Sequence, residues 1–432
     1  MSELAIGLVV TAGMIALVFA GVRVYIAAPL AGLVGMVWLV GWEAGANIVG
    51  TVPHSKTISY TLSVLPMFVL IGFIAYHAGL TGALFRAAKA WFGWMPGGLA
   101  VASVLATAGF SAVSGSSTAT AAIFSRVAIP PMLENGYDRR LAAGVVAAAG
   151  TLASLIPPSA ILVIYAIIVE ESVGRLIMAA FLPGLFSALV YVVVILVVCS
   201  WKPSLGPPSP PASWKERFAT VPGTLPIISV VGIIFSAMTF GWATPTEAGS
   251  LGAFVVFCIA LYRGMRWPAL RDALSETAKL TVVILAIIWG VLIYVRFLGF
   301  SGVPAAFAEW IVALPLSPTM IMIMILLGYV VLGMFMEAIG MLLLTLPVVY
   351  PAVVALGYDP IWFGIVVVKM CEICLISPPV GLNCYVVSVM RRDIPLGDVF
   401  RGASPFFVAE IMIVGAFLAW PDIILIVPRM IG

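Results

Sequence analysis

The 432-residue sequence predicts an all-α polytopic membrane protein built from two inverted-topology repeats, each with about five membrane spans and one re-entrant helical hairpin. Three observations carry that prediction. The first is composition: 63% of residues are hydrophobic and 9% are charged, whereas soluble domains carry about 25% charged residues. Apolar runs of about 20 residues, the length a bilayer demands, recur from end to end. The second is an internal repeat. IPPMLENGYDRRLAAGVV (129–146) aligns without a gap on YPAVVALGYDPIWFGIVV (350–367), setting Gly136-Tyr137-Asp138 on Gly357-Tyr358-Asp359. The third is a pair of adjacent prolines inside an apolar stretch, found twice. The same offset of 221 residues lays Pro157-Pro158 on Pro378-Pro379.

The first repeat covers 1–200. MSELAIGLVV lacks a basic n-region and a small-residue cleavage site, so it reads as the start of a span and not as a signal peptide. Spans are expected at about 4–22, 24–42 and 60–78, then a short arm carrying Arg86 and Lys89. Residues 97–133 are apolar but interrupted by SAVSGSSTAT (111–120). Each arm of that stretch is about 15 residues, below the roughly 17 a full span needs, so it reads as a hairpin that returns to its own side. Its tip lies at Ser114-Gly115-Ser116-Ser117. A proline-broken span (139–170) and a final span (174–199) complete the copy. Residues 201–221 begin WKPSLGPPSPPASWKERF, whose proline, serine and charge mark a cytoplasmic linker.

The second repeat, 222–432, follows the same order. Spans are expected at 222–241, 244–262 and 278–298, an arm carries Glu309, and a hairpin runs over 318–355 with its tip at Phe335-Met336-Glu337-Ala338. A proline-broken span (360–390) and a final span (396–419) close it.

Five crossings per copy would turn the second copy upside down. Charge tests the orientation. With the N-terminus outside, fifteen of the 21 basic residues fall in cytoplasmic loops and only Lys56, Arg175, Arg296 and Arg429 outside. The first hairpin then enters from the cytoplasm and the second from outside.

Inverted repeats with paired broken helices are the signature of a secondary transporter whose site lies near the membrane midplane. Freed carbonyls at helix C-terminal ends suit a cation such as sodium, and N-terminal ends suit an anionic group. Other classes fit less well. A net charge of +3, with the basic residues in loops, gives no footprint for nucleic acid. Cys371 and Cys374 form a C-x-x-C inside a span, far in sequence from His54 and His77, the two histidines. No G-x-S-x-G elbow and no phosphate-binding glycine loop is present, so an enzyme is not expected. Two hairpins entering from opposite sides suit alternating access better than a continuous channel.

At these motifs the sequence resembles the large membrane subunit of the TRAP (tripartite ATP-independent periplasmic) transporters. The resemblance rests on SGSSTATAA, IPPML…GYD, LIPPS, GWATPTEAG (241–249), GMFMEAIGMLLLTLPVVYP (333–351) and SPPVG (377–381), which span both halves. One departure is Ser377, where the family often has Thr, and the hydroxyl is kept. The resemblance implies an elevator-type importer of a small organic acid, coupled to Na+. In that scheme hairpins and broken helices move as a transport part against a scaffold. It also implies two partners, a small four-helix membrane subunit and a periplasmic substrate-binding protein, and a bacterial or archaeal cytoplasmic membrane. Neither partner is expected in this chain, which begins directly with its first repeat. A stand-alone sodium-coupled carboxylate carrier is the alternative.

Candidate site residues follow from the tips and breaks. Arg126, a charge on the returning arm of the first hairpin, is either a carboxylate ligand or a structural partner. Ser116, Ser117, Ser159 and Asn383 are the other candidate substrate ligands. For sodium the oxygen donors are Ser114, Gly115, Ser116, Thr118 and Pro157 in the first half, and Glu337, Ser377, Pro378 and Gly381 in the second. Glu337 binds the ion or holds the tip through backbone N–H groups. Lys369 and Glu372, one turn apart, read as a buried ion pair, and Glu247 as a cap or a scaffold contact.

Overall fold

The computed structural model describes residues 1–57, 60–336 and 338–431, and among these it contains helices and no strand. The order follows the sequence pattern. Glu3–Phe19 and Val24–Val40 lie where the first two spans are expected, though at 17 residues each they are among the shorter apolar helices, and Val64–His77 lies at the third position, bent by 69° into the arm Leu80–Phe92. Gly98–Ser114 and Ser117–Val127 form the first hairpin, continued by Ile129–Glu134. Arg139–Thr151 and Ala160–Val169 are the halves of the first broken helix. In the second repeat Pro318–Gly333 and Ala338–Ala355 form the hairpin, and Pro360–Ile376 and Leu382–Met390 the broken helix. Val173–Trp201 and Leu396–Ala419 are the final helices. Both proline pairs contain a cis peptide bond.

The shared GYD explains itself at this level. Gly136 and Gly357 adopt φ of 78° and 85°, a left-handed turn that glycine takes without steric cost. Two residues on, Asp138 caps the next helix by accepting from Arg140 N at 2.8 Å and Leu141 N at 3.3 Å. Asp359 does the same for Ile361 N and Trp362 N, at 2.8 and 3.0 Å.

Some elements differ from the sequence pattern. Trp42–Thr57 is helical where a connecting loop was expected. Trp214–Thr239 begins inside the 201–221 stretch, because Ser213 and Glu216 form a capping box that starts the helix there. Trp267–Ser301 runs 35 residues, well beyond 278–298. Glu247 is likewise an N-terminal cap partner, accepting from Thr244 N at 2.8 Å. Among the described residues six helices are long and apolar enough to cross a membrane. Other apolar helices are 10–17 residues long, since tips and breaks divide what the hydropathy pattern joins.

The broken helices lie at the centre. Every residue from Leu141 to Thr151 and from Ile361 to Ile376 is buried. Arg139–Thr151 packs closely on Leu396–Ala419 at facing glycines: a Cβ on Gly402 would stand 1.8 Å from the Arg140 carbonyl oxygen, and one on Gly144 2.0 Å from the Gly402 carbonyl carbon. Small residues that let backbones touch are the usual glue of membrane helices. The same pair is tied at one end by Asp398, which is 2.7 Å from Arg139 and 3.1 Å from Arg140. Gly402→Ala is therefore expected to cost about 1–3 kcal/mol through overpacking and to lower the melting temperature of the purified protein. Gly13→Ala, where nothing lies within 4 Å of the added Cβ, is the control and should leave it unchanged.

Candidate substrate and ion site

Both hairpins and both broken helices converge on one cavity of about 80 Å³, enough for a few water molecules. Ser114, Gly115, Ser116, Ser117 and Thr118 come from the first tip, and Ala338 and Ile339 from the second. Pro158, Ala160 and Ile161 come from the first break, and Leu375 and Leu382 from the second. A wall of Leu65, Phe68 and Val69, with Leu280 and Ile284, closes the cavity on the other side.

Helix ends dominate its electrostatics. The helices that start at Ser117, Ala160, Ala338 and Leu382 all present their first turns to it. Each such end carries roughly half a positive charge in unpaired N–H groups. The C-terminal ends of Gly98–Ser114 and Pro360–Ile376 meet the same space and contribute the opposite sign. Among the described residues that line it, none has a charged side chain.

The hydroxyls at the first tip and break are bonded to one another. Thr120 Oγ1 donates to Ser114 Oγ at 3.0 Å. Ser117 and Ser154 share a hydrogen bond through their hydroxyls, and Ser117 Oγ also donates to the Thr151 carbonyl at 3.5 Å. Ser116 caps the returning arm by accepting from Ala119 N, and Ser159 caps Ala160–Val169 by accepting from Leu162 N. Ser159 also donates to the Ser154 carbonyl. Gly115 turns the tip with φ 62°, and a Cβ there would lie 2.7 Å from the Pro158 carbonyl oxygen.

The candidate residues therefore separate into groups. Ser114, Gly115, Ser116, Ser117 and Thr118 line the cavity, and Pro157 adjoins its Pro158. Ser159 and Asn383 are fully buried beside it; Asn383 Nδ2 donates to the Ala147 carbonyl at 3.1 Å, while its Oδ1 has no hydrogen-bond partner among the described residues. Ser377 is buried and donates to the Cys374 carbonyl at 3.4 Å, whereas Pro378 and Pro379 are exposed and Gly381 is buried against Phe400. Glu337 lies outside the described residues. Arg126 is exposed, its Nη2 3.5 Å from Met390 Sδ. It sits ten residues past Ser116, about 15 Å along the helix, and is not brought to the cavity. Lys369 does pair with Glu372 at 2.6 Å, and also with Glu410 at 2.8 Å. Sequence spacing missed Glu410, and it missed the apolar wall at 65–69 and 280–284, where nothing but hydrophobicity marks the positions.

The profile of the DctM component of tripartite ATP-independent periplasmic transporters matches residues 11–423. The chain belongs to that family. It is 37% identical to the C4-dicarboxylate TRAP transporter large permease protein DctM of Pseudomonas aeruginosa, over 86% of this chain and 87% of the relative. It is 29% identical to the sialic acid TRAP transporter large permease protein SiaM of Vibrio cholerae, over 86% and 87%. Relatives in this family are named as permease subunits, not as enzymes. Among solved structures the fold is similar to that of the Alcanivorax borkumensis YdaH transporter, with a TM-score of 0.61 at 15% identity over 88% of this chain and 89% of that one. Neisseria gonorrhoeae MtrF gives a TM-score of 0.55 at 14% identity, over 87% and 85%. These two likenesses speak for the fold alone.

The tip geometry of this TRAP family permease leaves Gly115 no room for a side chain without strain. Gly115→Ala combines left-handed strain of about 1–2 kcal/mol with a clash at Pro158. It is expected to reduce uptake by about tenfold or more at equal membrane abundance. Gly109→Ala, whose Cβ meets Leu84 at an ordinary 3.6 Å, should transport like the parent.

Proposed function

We propose that this large permease subunit imports a small organic acid, a C4-dicarboxylate or a similar carboxylate, by sodium symport through an elevator mechanism. The observation that carries the reading is the cavity where both tips and both proline breaks meet. Four helix N-terminal ends facing one space favour the carboxylate of a substrate. Carbonyls at the C-terminal ends near Ser114, Pro157 and Ile376 are the oxygen donors suited to Na+, a hard cation, with Ser116 and Thr118 able to add hydroxyls. The lining wall from Val64–His77 and Trp267–Ser301 belongs to the scaffold in this reading, and the hairpins and broken helices move past it together. Charge bias supports an N-terminus outside the cytoplasmic membrane, so that the tips enter from opposite faces. A small membrane subunit and a periplasmic binding protein are the partners proposed, as the family's tripartite description suggests.

The test is uptake into proteoliposomes holding this chain and its small-subunit partner. Substrate is offered on its binding protein, with and without an inward sodium gradient. Accumulation should require both, and replacing sodium with choline should abolish it. Accumulation of free substrate without the binding protein would support the stand-alone carrier instead, and accumulation indifferent to sodium would remove the coupling.

A further inference from the structure

Two carboxylates and one ammonium meet where Pro360–Ile376 packs against Val173–Trp201 and Leu396–Ala419. Lys369 Nζ lies 2.6 Å from Glu372 Oε2, and 2.9 and 2.8 Å from the two carboxylate oxygens of Glu410. It also donates to Ser187 Oγ at 3.0 Å. The Tyr191 hydroxyl donates to Glu410 and lies 3.2 Å from Thr151 Oγ1. The side chains of Lys369, Glu372 and Glu410 are all 0% exposed.

With every group ionised, this cluster would bury a net charge of −1. An uncompensated buried charge is far more costly than a buried polar group. Among the described residues the ionisable groups that face Glu372 are Lys369, Glu410, Tyr191 and Cys371, and none of these brings a second positive charge. Among the described residues, moreover, Glu372 Oε1 finds no hydrogen-bond partner, and Glu410 Oε2 has only its ionic contact with Lys369 at 2.8 Å. An ionised carboxylate stripped of water wants both oxygens bonded; a carboxylic acid tolerates one bare oxygen far better. A metal ion does not suit the deficit, because the ammonium of Lys369 already occupies the point where the carboxylates converge and would repel it. A proton needs no such room.

We propose that this cluster is a proton-binding site, in which Glu372 and Glu410 together hold one proton at neutral pH. One carboxylate stays ionised against Lys369 and the other becomes the acid, leaving the cluster neutral. The site is wired to the first hairpin. Tyr191 reaches Thr151, whose carbonyl accepts from Ser117 at the tip. The inference stands on the buried charges alone and is independent of what the cavity transports.

Infrared spectroscopy of the purified protein at neutral pH tests it. The parent minus Glu372→Gln difference spectrum should lose one protonated-carboxyl C=O stretch per chain. Glu410→Gln should lose the same band, because a single remaining carboxylate is neutralised by Lys369 and keeps no proton. Glu309→Gln should leave the band in place. Gln has the shape of a protonated Glu, so both variants are expected to fold, and monodispersity on size exclusion checks it; either variant alone decides the question. Loss of an ionised-carboxylate stretch instead, with the protonated region unchanged, would overturn the proposal.

Discussion

Backbone that leaves the helix inside a bilayer has no water to turn to, so every N–H and C=O it frees must be met by protein. This chain leaves the helix at both hairpin tips and both proline pairs, and much of its organisation follows. The helices leading into the breaks are enclosed, as the unbroken burial of Leu141–Thr151 and Ile361–Ile376 records. Serine hydroxyls then take over where backbone partners are missing. Ser116 and Ser159 cap the helices that restart after the first tip and first break, and Ser154 accepts through its carbonyl and shares its hydroxyl. Their polarity serves the fold first. What remains for a ligand is chiefly the helix ends themselves, which is a reason to read the cavity through N–H and C=O groups and not through a list of side chains.

The two halves meet this constraint differently. Pro157 and Pro158 are buried, and the first tip is bonded to the segment before them through Ser117 and Ser154. Pro378 and Pro379 are exposed, and Ser377 bonds within its own helix to Cys374. LIPPS places a hydroxyl after its prolines and SPPVG places one before them. That shift of three positions in the repeat register decides whether the hydroxyl caps the restarting helix or closes the ending one.

The helix breaks were legible because they are local: glycine, proline and clustered serine announce them within a few residues. The GYD turns were legible for the same reason. Start signals were also present at Ser213-x-x-Glu216, a capping box inside a stretch whose prolines suggested only a linker. The helix Trp42–Thr57 was hidden by its mixture of glycine, proline and polar residues, which has no apolar face long enough to notice. Tertiary partners were illegible on principle. Lys369 and Glu372 are three residues apart and declare themselves, but Glu410 reaches the same ammonium from 41 residues away on a helix that reads as an ordinary span. Asp398 meeting Arg139 and Arg140 is another such case. Arg126 reads in the sequence as a charge at depth, yet the side chain is exposed beside Met390, because the arm carries it a full ten residues from the tip.

Electrostatics joins the site to the proposed coupling. Among the described residues that line the cavity none brings a charged side chain, and the positive character they supply comes from fractional charges at helix ends. Those fractions suffice to orient a carboxylate. They also share the space with C-terminal ends of opposite sign, which would leave a dicarboxylate, as in the proposed function, short of full compensation. A cation bound beside that anion, on those same C-terminal carbonyls, would supply the difference. Each ion then improves the site for the other, and neither is well held alone. Under the proposed function, coupling of the two fluxes would follow from that mutual dependence: the doubly filled site is the one close to neutral, and neither ion alone brings it there.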